Sequence, residues 1–205
     1  MQSLQSRLYV CIALIASFWC TSVVGACKVL TDFDGDTGDI RWRTVNDGVM
    51  GGRSRGDHRV TNGVLVFRGA TNTKGGGFSS IRSVRQRLNL AGEGLTLRLR
   101  GDGRTYTFRL SSRTQRATWW ADFSTSGEWE TVFVPFSDFS PRWRGMRLNG
   151  PDLRPELADG LGLMIYDKRD GPFALDVDSI SNCAGKLDTP RPDWRAALRT
   201  RLRYT

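Results

Sequence analysis

Gly94-Leu95-Thr96-Leu97-Arg98-Leu99-Arg100-Gly101-Asp102-Gly103-Arg104-Thr105-Tyr106-Thr107-Phe108-Arg109-Leu110 is written in period two. Leu95, Leu97 and Leu99 alternate with Thr96, Arg98 and Arg100. Beyond the Gly-Asp-Gly turn, Tyr106, Phe108 and Leu110 alternate with Thr105, Thr107 and Arg109. Successive side chains of a β-strand point to opposite faces, so each run buries one face and wets the other. The rhythm continues outward. Ala117, Trp119, Ala121 and Phe123 alternate with Thr118, Trp120 and Asp122, and Phe173, Leu175 and Val177 with Ala174, Asp176 and Asp178. Shorter strands are expected at 28–33, 63–68, 77–82, 128–135 and 161–166. Asn62-Gly63, Ser126-Gly127, Asn149-Gly150 and Asp170-Gly171 punctuate the runs as turns. Many short strands at this spacing predict an all-β antiparallel sandwich or barrel.

The ends read differently. Arg7, an uncharged apolar stretch over 8–20 and the small residues Val24-Gly25-Ala26 have the order of a secretory signal peptide, with cleavage expected after Ala26. The expected organisation is a signal at 1–26, a β-sandwich domain over 27–183 and a basic tail over 184–205, in an exported protein, periplasmic or secreted. Lys and Arg number 30 against 21 Asp and Glu, a net charge of +9. Most Arg residues are scattered among Asp, which reads as a solvated surface and not as a nucleic-acid footprint. The dense basic block is 191–203, where Trp194, Leu198 and Leu202 fall four apart, as on one face of a short helix.

Two cysteines survive the cleavage, Cys27 and Cys183. An exporting compartment permits a disulfide, and a sandwich often brings its first and last strands together, so a Cys27–Cys183 bridge is expected. The rival is that Val24-Gly25-Ala26-Cys27 is an approximate lipoprotein box, which puts a lipid on Cys27 and the protein on a membrane. Against it stand Val in place of the usual Leu and a Cys183 left over.

The most distinctive loop is Trp42-Arg43-Thr44-Val45-Asn46-Asp47-Gly48-Val49-Met50-Gly51-Gly52-Arg53-Ser54. Its glycines point to backbone that Cβ-bearing residues avoid, with a positive φ expected at Gly51 or Gly52. Exposed amides there suit a nest for an anion or polar ligand. The plainer reading is a loop closing over the end of the sandwich, with Asp47 capping its own turn.

This loop resembles the signature of the complex I intermediate-associated protein 30 family. Further landmarks fall in register: Gly76-Gly77-Phe78, Gly101-Asp102-Gly103 with Tyr106, Trp129, Pro135-Phe136, Gly145, and Asp167-Lys168 with Gly171-Pro172-Phe173. The resemblance covers about 32–182. It implies a galactose-binding-like jelly roll, related in shape to carbohydrate-binding modules, and a role in assembling a protein partner.

On these grounds the candidate binding residues are Asp47, Gly48, Met50, Gly51, Gly52 and Ser54 of the glycine loop, with Asp102, Tyr106, Asp167 and Lys168. Turn residues of a sandwich gather at its two ends. Asp47, Asp102 and Asp167-Lys168 are therefore expected at one end, at least two of them sharing a hydrogen-bond network. Structural pairing of an Asp with Lys168 or an Arg competes with a ligand site. Alternation puts one of Trp119 and Trp120 outside; Trp120 and Trp143 offer faces for a sugar ring or a protein partner.

Asp32, Asp34, Asp36 and Asp39 invite a calcium reading, but no Glu closes the loop and a solvated acidic turn is expected. The only His is His58, with no nucleophile elbow or zinc-spaced set beside it. The expectation is a non-catalytic binding protein without cofactor, an assembly or accessory factor for a protein partner. The alternative is a carbohydrate-binding-module-like glycan binder.

Overall fold

The computed structural model describes residues 27–35, 40–115 and 117–185. The expected signal at 1–26, tail residues 186–205, and Asp36 and Asp39 of the acidic loop lie outside the described residues.

Thirteen strands form among the described residues: β1 (Cys27–Thr31), β2 (Trp42–Asn46), β3 (Arg55–Thr61), β4 (Val64–Thr71), β5 (Ser79–Ser83), β6 (Gly94–Arg100), β7 (Thr105–Ser111), β8 (Thr118–Ser124), β9 (Glu130–Pro135), β10 (Ser140–Trp143), β11 (Met146–Arg147), β12 (Gly160–Ile165) and β13 (Gly171–Cys183). They make two antiparallel sheets. One runs β3-β4-β13-β6-β9, with β1 also on β13; the other runs β11-β10-β8-β7-β12-β5-β2.

The alternating residues face each other across the sandwich. Leu95, Leu97 and Leu99 of β6 are fully buried, as are Tyr106, Phe108 and Leu110 of β7 and Trp119 of β8. Each such side chain contributes about 1.5–3 kcal/mol of transfer free energy. β6 and β7, the strands of the opening stretch, lie in different sheets, so the Gly101-Asp102-Gly103 turn carries the chain across the sandwich.

Long β13 is the spine. Its first half pairs with β4 over 171–177, and its second half with β1 and β6 up to Cys183. Cys27 stands opposite Cys183 in the β1–β13 register, and the two are disulfide-bonded. A sulfur held in a disulfide cannot also carry a thioether lipid, so bridge and lipid are alternatives at Cys27, and the structure has the bridge.

Short β10 and β11 were not among the expected strands, and neither were β2 and β3. Asn46 stitches them across the corner, its side chain exchanging two 3.1 Å hydrogen bonds with the Gly56 backbone. His58 of β3 meets the Thr44 hydroxyl at 2.8 Å. Among the described residues no group of His, Cys, Asp and Glu is arranged to hold a metal ion.

Candidate functional site

The glycine loop closes around its own carboxylate. A 3-10 turn over Asp47–Met50 turns Asp47 inward to complete burial. There its carboxylate accepts the Ser54 N–H (2.8 Å), the Ser54 hydroxyl (2.6 Å), the Gly77 N–H (2.7 Å) and the Phe78 N–H (3.3 Å). Burial is the largest single influence on its pKa and would raise it. The Ser54 hydroxyl and the N–H groups of Gly77, Phe78 and Ser54 together outweigh it, holding the group below its ordinary 3.8. The glycines serve this knot. Gly51 takes φ 83°, while a Cβ at Gly52 or Gly76 would collide with the Asp47 carboxylate. The amide nest read from the sequence thus exists, and the anion in it belongs to the chain itself.

A second knot forms around Arg104, a residue the sequence reading passed over. Its guanidinium meets Asp167 through Nε (2.9 Å) and Nη2 (2.6 Å), and donates to the Thr71 hydroxyl and the carbonyls of Arg169, Gly171 and Pro172. Hydrogen bonding to Asp167 raises the Arg104 pKa, despite burial. Asp102 accepts from the Arg104 N–H (3.1 Å), the Tyr106 hydroxyl (3.1 Å) and the Ala174 N–H (2.7 Å). Burial first, then the Asp102 charge, drives the Tyr106 pKa upward and keeps the phenol a donor.

Asp102, Tyr106 and Asp167 therefore share one network through Arg104. The Asp47 knot joins it through β4: the Asn72 N–H donates to Ser54 Oγ (2.9 Å), and Thr71 is an Arg104 partner. Among the described residues Lys168 makes no ion pair with Asp47, Asp102 or Asp167. Its Nζ lies 3.5 Å from the Tyr166 ring centroid, a cation–π contact. The signal for Arg104 was its place as the cation directly after the Gly-Asp-Gly turn.

What the knots hold outward is a different surface. The 3-10 turn leaves Val49 76% and Met50 64% exposed. The Asp47 bond to Phe78 N–H and the Asp167 bond to Arg104 fix Phe78 and Tyr166 nearby, edge to face at 6.4 Å between ring centroids. These four residues form one end of a groove of about 880 Å³ on the outer face of the seven-stranded sheet. Trp120, the outward Trp of β8, lies in its floor, and Trp143 of β10, 47% exposed, forms the opposite rim. Gly48 is exposed on the same turn.

The groove floor is cationic. Strand register places Arg82, Gly162, Arg109 and Trp120 side by side across β5, β12, β7 and β8, and continues the row beyond the groove to Arg43 of β2. Arg109 and Arg142, one from each strand beside β8, lie over the Trp120 ring at 5.1 and 5.7 Å. Burial and the neighbouring Arg82 charge push the Arg109 pKa down to about 9.

The chain matches the sequence profile described as complex I intermediate-associated protein 30 over residues 31–177. Relatives from Caenorhabditis elegans and Caenorhabditis briggsae, each called probable complex I intermediate-associated protein 30, mitochondrial, are 36% identical over 95 residues, 42% of this chain. The match spans only 28% of the length of those relatives. Among solved structures, the family 11 carbohydrate-binding module of a cellulosomal cellulase of Clostridium thermocellum superposes with a TM-score of 0.54 at 17% identity, covering 80% of this chain and 97% of the module. A family 29 carbohydrate-binding module complexed with cellulohexaose gives 0.53 at 9% identity, covering 83% of this chain and 99% of the module. Identities this low establish the jelly-roll sandwich alone. By its profile match over most of the sandwich, the chain belongs to the complex I intermediate-associated protein 30 family.

Proposed function

We propose that the chain is a non-catalytic binding protein, an assembly or accessory factor that holds a protein partner in the groove of the seven-stranded sheet. The observation that carries this is the groove rim: Val49, Met50 and Trp143 stand exposed around a Trp- and Arg-rich floor. Trp, Tyr and Arg are the residues that dominate protein interfaces, and Met adapts to varied apolar partners. Membership of a family named for association with complex I intermediates supports a protein partner. Export rests on the sequence of residues 7–26, and the disulfide accords with an oxidising compartment.

The second reading is glycan binding, because the neighbours of this fold include a module complexed with cellulohexaose. The groove favours it less. Guanidinium groups already lie over the Trp120 ring and an ammonium over Tyr166, where a neutral sugar would stack.

A photoreactive phenylalanine analogue placed at Met50 or Trp143 in the native cell should crosslink to one partner polypeptide. The same analogue at Val60, an exposed apolar residue of β3 on the other sheet, should not. Equal crosslinking from all three positions, or from Val60 alone, removes the groove as the docking face.

A further inference from the structure

The groove carries a charge arrangement that the chain itself does not balance. Arg43 and Arg82 are direct cross-strand partners, and Arg82 and Arg109 face each other over Gly162. Like charges opposed in this way destabilise a sheet. Gly162 leaves the space between them: a Cβ there would lie 3.4 Å from Arg109 Cβ and 3.7 Å from Arg82 Cγ. Among the described residues, none of Arg43, Arg82, Arg109 and Arg142 makes an ion pair. The groove lining contains no Asp or Glu. Asp122 lies on the same face one step along β8 and is taken by the Thr107 hydroxyl at 2.6 Å, while Asp159 holds Arg85 and Arg113 at the far end.

Two of these cations are also short of hydrogen-bond acceptors. Arg109 Nε and Nη1 and Arg142 Nε are shut off from solvent with no partner among the described residues. An arginine stays charged under such stress, so the usual relief is an anion brought to it. Burial and Arg82 already lower the Arg109 pKa to about 9, which registers the same imbalance.

Resting on the docking reading above, the geometry points to an acidic protein segment as the occupant: its carboxylates meet Arg82, Arg109 and Arg142, and its apolar side chains meet Val49, Met50 and Trp143. Charge selects the floor and hydrophobicity selects the rim. A carboxylated polysaccharide would use the floor and leave the apolar rim unrewarded. The chain's own residues 186–205 carry six cations against Asp188 and Asp193, the wrong sign for this floor.

The test is selection of binders from an mRNA-displayed library of random 12-residue peptides against the full mature chain. Arg109→Met, the pair Val49→Ser with Met50→Ser, and Arg59→Gln on exposed β3 serve as counter-targets, the last removing one charge away from the groove. The expected binders combine Asp or Glu with apolar residues. They should lose at least about ten-fold in affinity on Arg109→Met and on the Val49/Met50 pair, and keep it on Arg59→Gln. Arg109→Met should melt no lower than the parent, because it removes a half-buried, unbalanced charge whose Nε and Nη1 lack acceptors. A lower melting point would make Arg109 a structural residue and overturn the assignment.

Other outcomes separate the readings. Binders that depend on Val49 and Met50 but carry no acidic residue overturn the acidic partner and leave the docking groove. Absence of groove-dependent peptides, with oligogalacturonate binding that Arg109→Met abolishes, replaces the protein segment by an acidic glycan. Absence of both overturns the groove as well.

Discussion

Asp47 is a fully buried carboxylate that makes no ion pair among the described residues; four N–H and O–H donors balance it instead. Asp47→Asn keeps the shape but turns an amide NH₂ toward donors, so it should cost about 2–4 kcal/mol in denaturant unfolding. The pH dependence has a definite sign. A carboxylate whose folded pKa lies below its ordinary 3.8 stabilises the fold above about pH 4, and that stability disappears as pH falls through the folded value. Acid titration of unfolding should therefore show a steep loss below about pH 4 in the parent and a shallower one in Asp47→Asn. Identical acid limbs would mean that Asp47 is not held ionised in the fold.

Strands with a strong apolar contrast were legible in the sequence. β6, β7, β8 and β13 bury the alternate residues their period announces. β2 and β3 were not legible, for a physical reason. β3 reads Arg-Gly-Asp-His-Arg-Val-Thr, an edge strand turned largely to water, and its place is fixed by its partners, β4 on one side and Asn46 of β2 on the other. The glycine motif was legible as backbone constraint, but one sequence cannot say whether such a nest holds its own Asp or a ligand. The Arg row was least legible, since it depends on the register of β2, β5, β12 and β7, strands far apart in the chain. The pairing of the first and last strands was within reach because β1 begins and β13 ends with a lone Cys. That bond closes a loop of 156 residues, for which the chain-entropy account gives stabilisation of up to about 5 kcal/mol. Replacing both Cys27 and Cys183 by Ser should lower the melting temperature accordingly. Mass spectrometry of the purified chain should show two hydrogens missing and no acyl group; a lipid mass on Cys27 would contradict the bridge.

At the scale of the molecule, the two ends of the sandwich are fastened by different chemistry. The disulfide closes the end where β13 finishes. Side-chain knots close the end where it starts, each joining strands of both sheets. The Asp47 knot links the ends of β2 and the loop before β5 to the loop before β3. The Arg104 knot links the start of β7 and the end of β12 to the end of β4 and the start of β13. Both draw on one short segment, since Thr71 bonds Arg104 while Asn72, its neighbour, bonds Ser54. If that segment moves when either knot opens, the two should behave as one unit. In a double-mutant cycle, Asp47→Asn and Asp167→Asn should then be non-additive: the second substitution costs less once the first is present, with a coupling of about 1 kcal/mol. Distant, independent sites add to within about 0.5 kcal/mol. Additivity at that level would mean that β4 holds its position without the knots, and that the rim residues Val49, Met50 and Tyr166 are positioned separately. Coupling would mean that one end of the groove is set by a single cooperative element, so that loosening Asp167 would disturb the rim at Met50.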